Sequence, residues 1–193
     1  MDTYVYEYNG QDYINLTNQC TNECTFCIRN HEDGVGGYQL WLEHEPTAAQ
    51  VIELLDEHKR DVVFCGFGEP TIKLTELKEI ARFVKSYGGQ VRLNTNGHAN
   101  IYHGRNVAPE LKGLVDIVSI SLNNANAALY QEVCQSVYGE AGFDYMLDFA
   151  RCCIREQIRV KFSVMDLIGE ENIEKCRLIA QEMGAEFRVR TYY

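Results

Sequence analysis

Three cysteines, Cys20, Cys24 and Cys27, stand within eight residues in the stretch NLTNQCTNECTFCIRN, spaced C-x3-C-x2-C. A loop bending through that spacing can aim three thiolates at one centre. A structural zinc site wants four ligands, and the nearest further candidate is His31, unless a distant cysteine completes the set. Iron–sulfur clusters are held by cysteine thiolates, one per iron, so three cysteines on a four-iron cluster leave one iron without a protein ligand. An open position is what a catalytic metal keeps for its substrate.

What must position this loop is a rhythm of strands and helices. TYVYEYNGQDYINLT alternates apolar and polar residues around Asn9-Gly10, a two-residue hairpin signal, and its second arm predicts a first core strand at roughly 13–17. Short β-branched or aromatic runs ending in polar or glycine residues predict further strands at 61–68, 90–97, 116–123, 159–166 and 186–193. Helical patterns fall between them, at 47–58, 74–89, 143–157 and 171–184. The first opens with Thr47 and Gln50 at capping-box spacing, and the second stops at Gly88-Gly89. Between 98 and 115 the pattern is weak, and Pro109 allows only a short helical turn. Alternating strands and helices imply parallel strands with right-handed crossovers. Six such strands fall short of the eight of a closed barrel. The expected fold is therefore α/β: a partial, open (β/α)6 barrel with parallel strands, preceded by an N-terminal β-hairpin arm, in a single domain over 1–193. Such folds gather their chemistry at the carboxyl ends of the strands, where the cysteine loop falls.

Composition narrows the function classes. At 193 residues, with 46% hydrophobic and 24% charged residues, the chain reads as one globular core. A net charge of −10 argues against nonspecific nucleic-acid binding, which neutralises phosphates with Lys and Arg. No secretory signal and no apolar run near the ~18 residues of a membrane span are visible, so the expected location is cytoplasmic. Of the eight cysteines, Cys65, Cys134, Cys152, Cys153 and Cys176 sit in apolar surroundings and are expected to be packing residues.

Cys20-Thr21-Asn22-Glu23-Cys24-Thr25-Phe26-Cys27 resembles the cluster motif of radical S-adenosylmethionine enzymes, including the aromatic Phe26 before the last cysteine. The resemblance implies one 4Fe-4S cluster on Cys20, Cys24 and Cys27. It also implies S-adenosylmethionine chelated to the open iron and an electron donor such as a flavodoxin or ferredoxin. Reductive cleavage of the sulfonium would then give methionine and a 5′-deoxyadenosyl radical that abstracts hydrogen from a substrate. CGFGEPT at 65–71 lacks the last glycine of a dinucleotide fingerprint. It is more similar to the family's Gly-Gly-Glu-Pro segment, which implies cosubstrate contacts at Gly66, Phe67, Gly68 and Glu69. By the same resemblance Asn94, Ser121 and Asn123 are ribose candidates, Val164 and Met165 adenine candidates, and Phe26 a packing partner for adenine. Asn96-Gly97 reads as a turn, and the loop at 29–46, with Arg29 and His31, is expected beside the cluster.

TNQCTNECTFCIRN, LWLEHEPT and GFGEPT are most similar to the radical S-adenosylmethionine proteins named for association with TatD-type hydrolases, which implies a TatD-like partner but no substrate and no catalytic residue beyond the cluster. A glycyl-radical-enzyme activase is the alternative within the family. An electron-transfer iron–sulfur protein and a zinc-binding module are the alternatives outside it.

Overall fold

The structure is a computed structural model that describes residues 2–56 and 60–191. β1 (Val5–Tyr8) and β2 (Gln11–Ile14) form the expected hairpin, turning at Asn9 and Gly10 with φ of 52° and 73°. That tight turn sets the register Tyr8↔Gln11, so the first core strand begins at Gln11 and its ladder ends at Ile14, earlier than the sequence pattern places it. The cysteine loop follows, then a small separate hairpin of β3 (Gly34–Val35) and β4 (Tyr38–Gln39). Next come α1 (Ala48–Asp56), β5 (Val62–Phe64), α2 (Leu74–Ser86) and β6 (Val91–Thr95). α3 (Ala99–His103) and α4 (Ala108–Leu111) are short, as Pro109 requires. β7 (Ile117–Ser121), α5 (Ala127–Cys134), α6 (Ala141–Arg155), β8 (Arg159–Met165), α7 (Glu170–Glu182) and β9 (Glu186–Arg190) complete the described chain. The last residues of the predicted first helix and last strand lie outside the described residues.

The strand order β1-β2-β5-β6-β7-β8-β9 makes an α/β sheet in which every pair is parallel except β1–β2. α5 was not foreseen. Only Tyr130 and Cys134 on it are buried, one turn apart, so its apolar stripe is too narrow to read. Asn126 starts it by accepting from Leu129 N at 3.0 Å.

Alternate residues of the parallel strands, among them Ile14, Phe64, Leu93, Ile120 and Phe162, are wholly buried and share one core with the buried faces of all seven helices. The registers put Cys65, Asn94, Arg92, Ser119, Ser121, Lys161, Ser163, Arg188 and Arg190 on the opposite face. Parallel sheets are ordinarily apolar on both faces because helices cover both. Here the second face is polar from β6 to β9. At its β1–β2 edge it carries a small aromatic and aliphatic cluster of Tyr6, Leu40 and Phe67, with Tyr8, Tyr13 and Val35 against it.

Candidate functional site

The cysteine triplet lies on the loop after β2, at the carboxyl end of the sheet, and that loop is held from three sides. From the end of β6, Asn96 Nδ2 donates to Thr21 Oγ1 at 2.9 Å and to Cys20 Sγ at 3.6 Å. His98 Nε2 faces Gly142 O at 3.0 Å, and His98 Nδ1 faces Thr21 Oγ1 at 2.9 Å. The network therefore assigns the proton to Nε2 and lets Thr21 donate to Nδ1. Burial pushes this imidazole down to about 4, so it is neutral at physiological pH. From α5, Thr25 N donates to Val133 O at 2.9 Å, Glu23 N to Cys134 O at 3.1 Å, and Asn22 Nδ2 to Tyr130 Oη at 3.2 Å. From the loop itself, Arg29 donates to the carbonyls of Asn18 and Asn22, both at 3.3 Å. Arg29 thus braces the cysteine loop, while His31 is exposed.

The three thiols are half-buried and free. Cys20 Sγ accepts from Asn22 N at 3.4 Å, and burial, with Glu69 nearby, pushes its thiol up to about 12. Cys24 donates to Cys134, and that bond together with burial raises the Cys24 thiol well above its ordinary value. Burial also raises Cys27. As the side chains stand, no three His, Cys, Asp or Glu among the described residues converge as a metal-binding group. The donor chemistry nevertheless fits an iron–sulfur cluster. Three thiols share one braced loop, and two N–H donors already point at Cys20 Sγ, as outer-shell donors to a metal-bound thiolate do.

The CGFGEPT segment secures the loop's base. A Cβ on Gly66 would collide with the Asn15 side chain, and one on Gly68 with the carbonyls of Thr17 and Gln19. The two glycines therefore admit the chain's own backbone at the start of the cysteine loop. Glu69 N donates to Gln19 O at 2.7 Å. The Glu69 carboxylate is buried and accepts from Thr71 N (3.0 Å), Thr71 Oγ1 (2.7 Å), Thr95 Oγ1 (2.8 Å) and Asn96 N (2.7 Å). Burial raises its pKa, with those four donors working in the opposite direction. One carboxylate thus ties the end of β5 to the end of β6, and so to Asn96 and Cys20.

The other sequence-selected residues scatter around this centre. Phe26 is half-buried within the cysteine loop. Phe67 is buried against Tyr6 and Leu40, its ring 5.0 Å from Trp41. Asn94 hydrogen-bonds the Cys65 thiol on the polar face, and Ser121 ends β7 on that face. Asn123, in the left-handed region at φ 59°, donates from Nδ2 to Cys134 Sγ at 3.2 Å. Val164 lies in the helix-side core, while Met165 is half-buried on the polar face. Asn96, His98, Asn22, Tyr130 and Cys134 escaped the sequence reading as members of the site. The Asn96-Gly97 turn was the one signal for them: Gly97 at φ 84° sends the chain back so that His98 reaches Thr21. Of the five cysteines expected to be packing residues, Cys65 departs by facing the polar side and Cys134 by touching Cys24.

A cavity of about 460 Å³ opens at the amino ends of the strands, lined in part by Gln90, Lys112, Asp116, Glu156 and Arg159. None of the residues selected above lines it.

The radical SAM superfamily model matches residues 14–183, and the chain belongs to that superfamily, whose members are enzymes. No curated protein sequence matches the chain. Among solved structures, Streptococcus suis SuiB bound to S-adenosylmethionine is similar at 14% identity, with a TM-score of 0.68 over 92% of this chain and 39% of that one. Native anSMEcpe with bound AdoMet is similar at 13% identity, TM-score 0.67, over 94% of this chain and 50% of that one. A radical SAM methyltransferase from Sphaerobacter thermophilus is 18% identical, TM-score 0.61, over 97% of this chain and 57% of that one. The chain spans between about two fifths and three fifths of these proteins' length.

Proposed function

We propose that this chain is a radical S-adenosylmethionine enzyme core in which Cys20, Cys24 and Cys27 hold one 4Fe-4S cluster. The observation that carries the reading is the superfamily match over residues 14–183, which contains the triplet at the end of β2. The chemistry such a cluster supplies when bound is the electron for reductive cleavage of S-adenosylmethionine, giving methionine and a 5′-deoxyadenosyl radical that takes hydrogen from a substrate.

The chain's own residues set the stage for it. Asn22 N and Asn96 Nδ2 donate toward Cys20 sulfur, the outer-shell bonds that a metal-bound thiolate would accept. Arg29, His98 and Tyr130 hold the loop's shape, and Glu69 fixes the strand end beside it. Gly66, Phe67, Gly68, Glu69, Asn94, Ser121, Asn123, Val164, Met165 and Phe26 remain the proposed surroundings of the cosubstrate. A partial barrel is supported by the run of six parallel strands β2-β5-β6-β7-β8-β9 with helices against one face. Likeness of the cysteine and GFGEPT segments supports placement in the TatD-associated group, with a flavodoxin or ferredoxin as electron donor.

The test is anaerobic reconstitution, dithionite reduction and chromatography of the products. Release of 5′-deoxyadenosine and methionine is expected, and Cys20→Ala, Cys24→Ala and Cys27→Ala should each lose both iron and cleavage. An intact cluster that cleaves nothing would sink the proposal. The Cys24–Cys134 contact favours one second reading, a structural zinc site completed by a distant cysteine. Colourless, zinc-stoichiometric protein whose zinc is lost in Cys134→Ser would establish it instead.

A further inference from the structure

The polar face of the sheet holds cations that the proposed chemistry leaves unused. Among the described residues, Arg92, Lys161, Arg188 and Arg190 project there from β6, β8 and β9, and the facing acid Glu186 is engaged by Lys161 at 2.9 Å and Arg159 at 2.6 Å. Such a concentration is unexpected in a chain of net charge −10. Arg92 donates to Tyr13 Oη at 2.9 Å and stacks over that ring, but its Nε is buried without a hydrogen-bond partner. Arg190 Nε is likewise buried and unpartnered, and Arg190 forms no ion pair among the described residues. A largely buried guanidinium with nothing to neutralise it is costly, and proteins keep such groups where a ligand supplies the missing charge. The registers place both arginines on this one face, Arg92 from β6 and Arg190 from the end of β9. Asn94 and Ser163, on the same face, add short polar groups between them.

We infer that this face binds an anionic group of the substrate, a carboxylate or a phosphate, with Arg190 and Arg92 as its ligands. The planar fork of a guanidinium suits the paired oxygens of either group, and the low polarity around Arg190 strengthens the contact. Arg190 ends β9 at the carboxyl end of the sheet, the end from which the cysteine loop leaves β2. The inference rests on the proposed enzyme reading only in taking the bound anion to belong to the substrate.

The test titrates the reconstituted full chain with inorganic phosphate and, separately, with succinate at constant ionic strength, reading chemical-shift changes. Saturable binding is expected for one of them, and which one binds tells phosphate from carboxylate. Arg190→Gln and Arg92→Gln should each weaken it by roughly tenfold, Arg190→Lys by less, and Lys112→Gln at the amino end of the strands not at all. Melting curves confirm that each variant is folded. Absence of saturable binding by both anions, or wild-type affinity in Arg190→Gln, overturns the inference. So does a parallel loss of S-adenosylmethionine binding in Arg190→Gln, because that assigns the arginine to the cosubstrate. If phosphate or succinate binds as expected while S-adenosylmethionine does not bind at all, the anion site stands and the enzyme reading falls.

Discussion

On one face of the sheet Phe64, Leu93, Ile120 and Phe162 are wholly buried in the core that the helices share; on the other, the same strands present Cys65, Asn94, Ser119, Ser121 and a set of cations. The first face is where stability resides. The second retains polar and charged groups outside that core, among them Arg190 with its buried, unpartnered Nε. The carboxyl-end network around Glu69 and His98 stands between the two, buried like the core and polar like the open face. The division teaches that each strand is read twice: alternate residues hold the fold, and their neighbours are free to serve a ligand.

Deleting from the apolar face tests the division hardest. Phe162→Ala should cost about 3–5 kcal/mol in urea unfolding, the usual range for a wholly buried phenylalanine. A loss under ~1 kcal/mol would mean that the two faces do not differ. Glu69→Ala should come next, at about 3 kcal/mol, because four buried donors lose their acceptor. Iron incorporation should fall with it, which separates a site support from an ordinary packing residue. His98 makes a comparable contribution that depends on pH. Its folded pKa of about 4 lies below the ordinary 6.5, so on acidification the unfolded chain takes the proton first. Stability is complete above about pH 6.5 and is lost toward pH 4, by up to about 3 kcal/mol. His98→Gln should flatten that part of the stability–pH curve, and an unchanged slope would show that the imidazole is not the group responsible. The smallest effect belongs to the polar face: Arg190→Leu should leave stability unchanged or raise it by about 1 kcal/mol. A loss above ~2 kcal/mol would make Arg190 a structural residue and erase the contrast.

The helix-side face was legible in sequence because burial imposes a period: 2 along strands such as Val91–Thr95, and 3.6 along the helix from Leu74 to Ser86. The cysteine triplet was legible because its members are neighbours in the chain. The supports were not, since Thr21 meets His98 and Asn22 meets Tyr130 across separations of 77 and 108 residues, which no local pattern records. Cys134 illustrates the same point. Its surroundings in sequence suggest a packing residue, and only the docking of α5 against the loop brings it to Cys24. Glu69 was singled out by its segment, but the four internal donors to its carboxylate, from Thr71, Thr95 and Asn96, were not legible.

The bracing of the cysteine loop by Val133, Cys134 and Ser136 also fixes an order of events during biosynthesis. When Cys27 is added to the chain, the partners on α5 that shape its loop have not been made. The last of them emerges more than 100 residues later, which at roughly 5–20 residues per second is a delay of about 5–20 s. For that interval the thiols belong to an unshaped segment, open to adventitious metals and oxidants. In the finished chain the same thiols stand on a loop already held in place by α5.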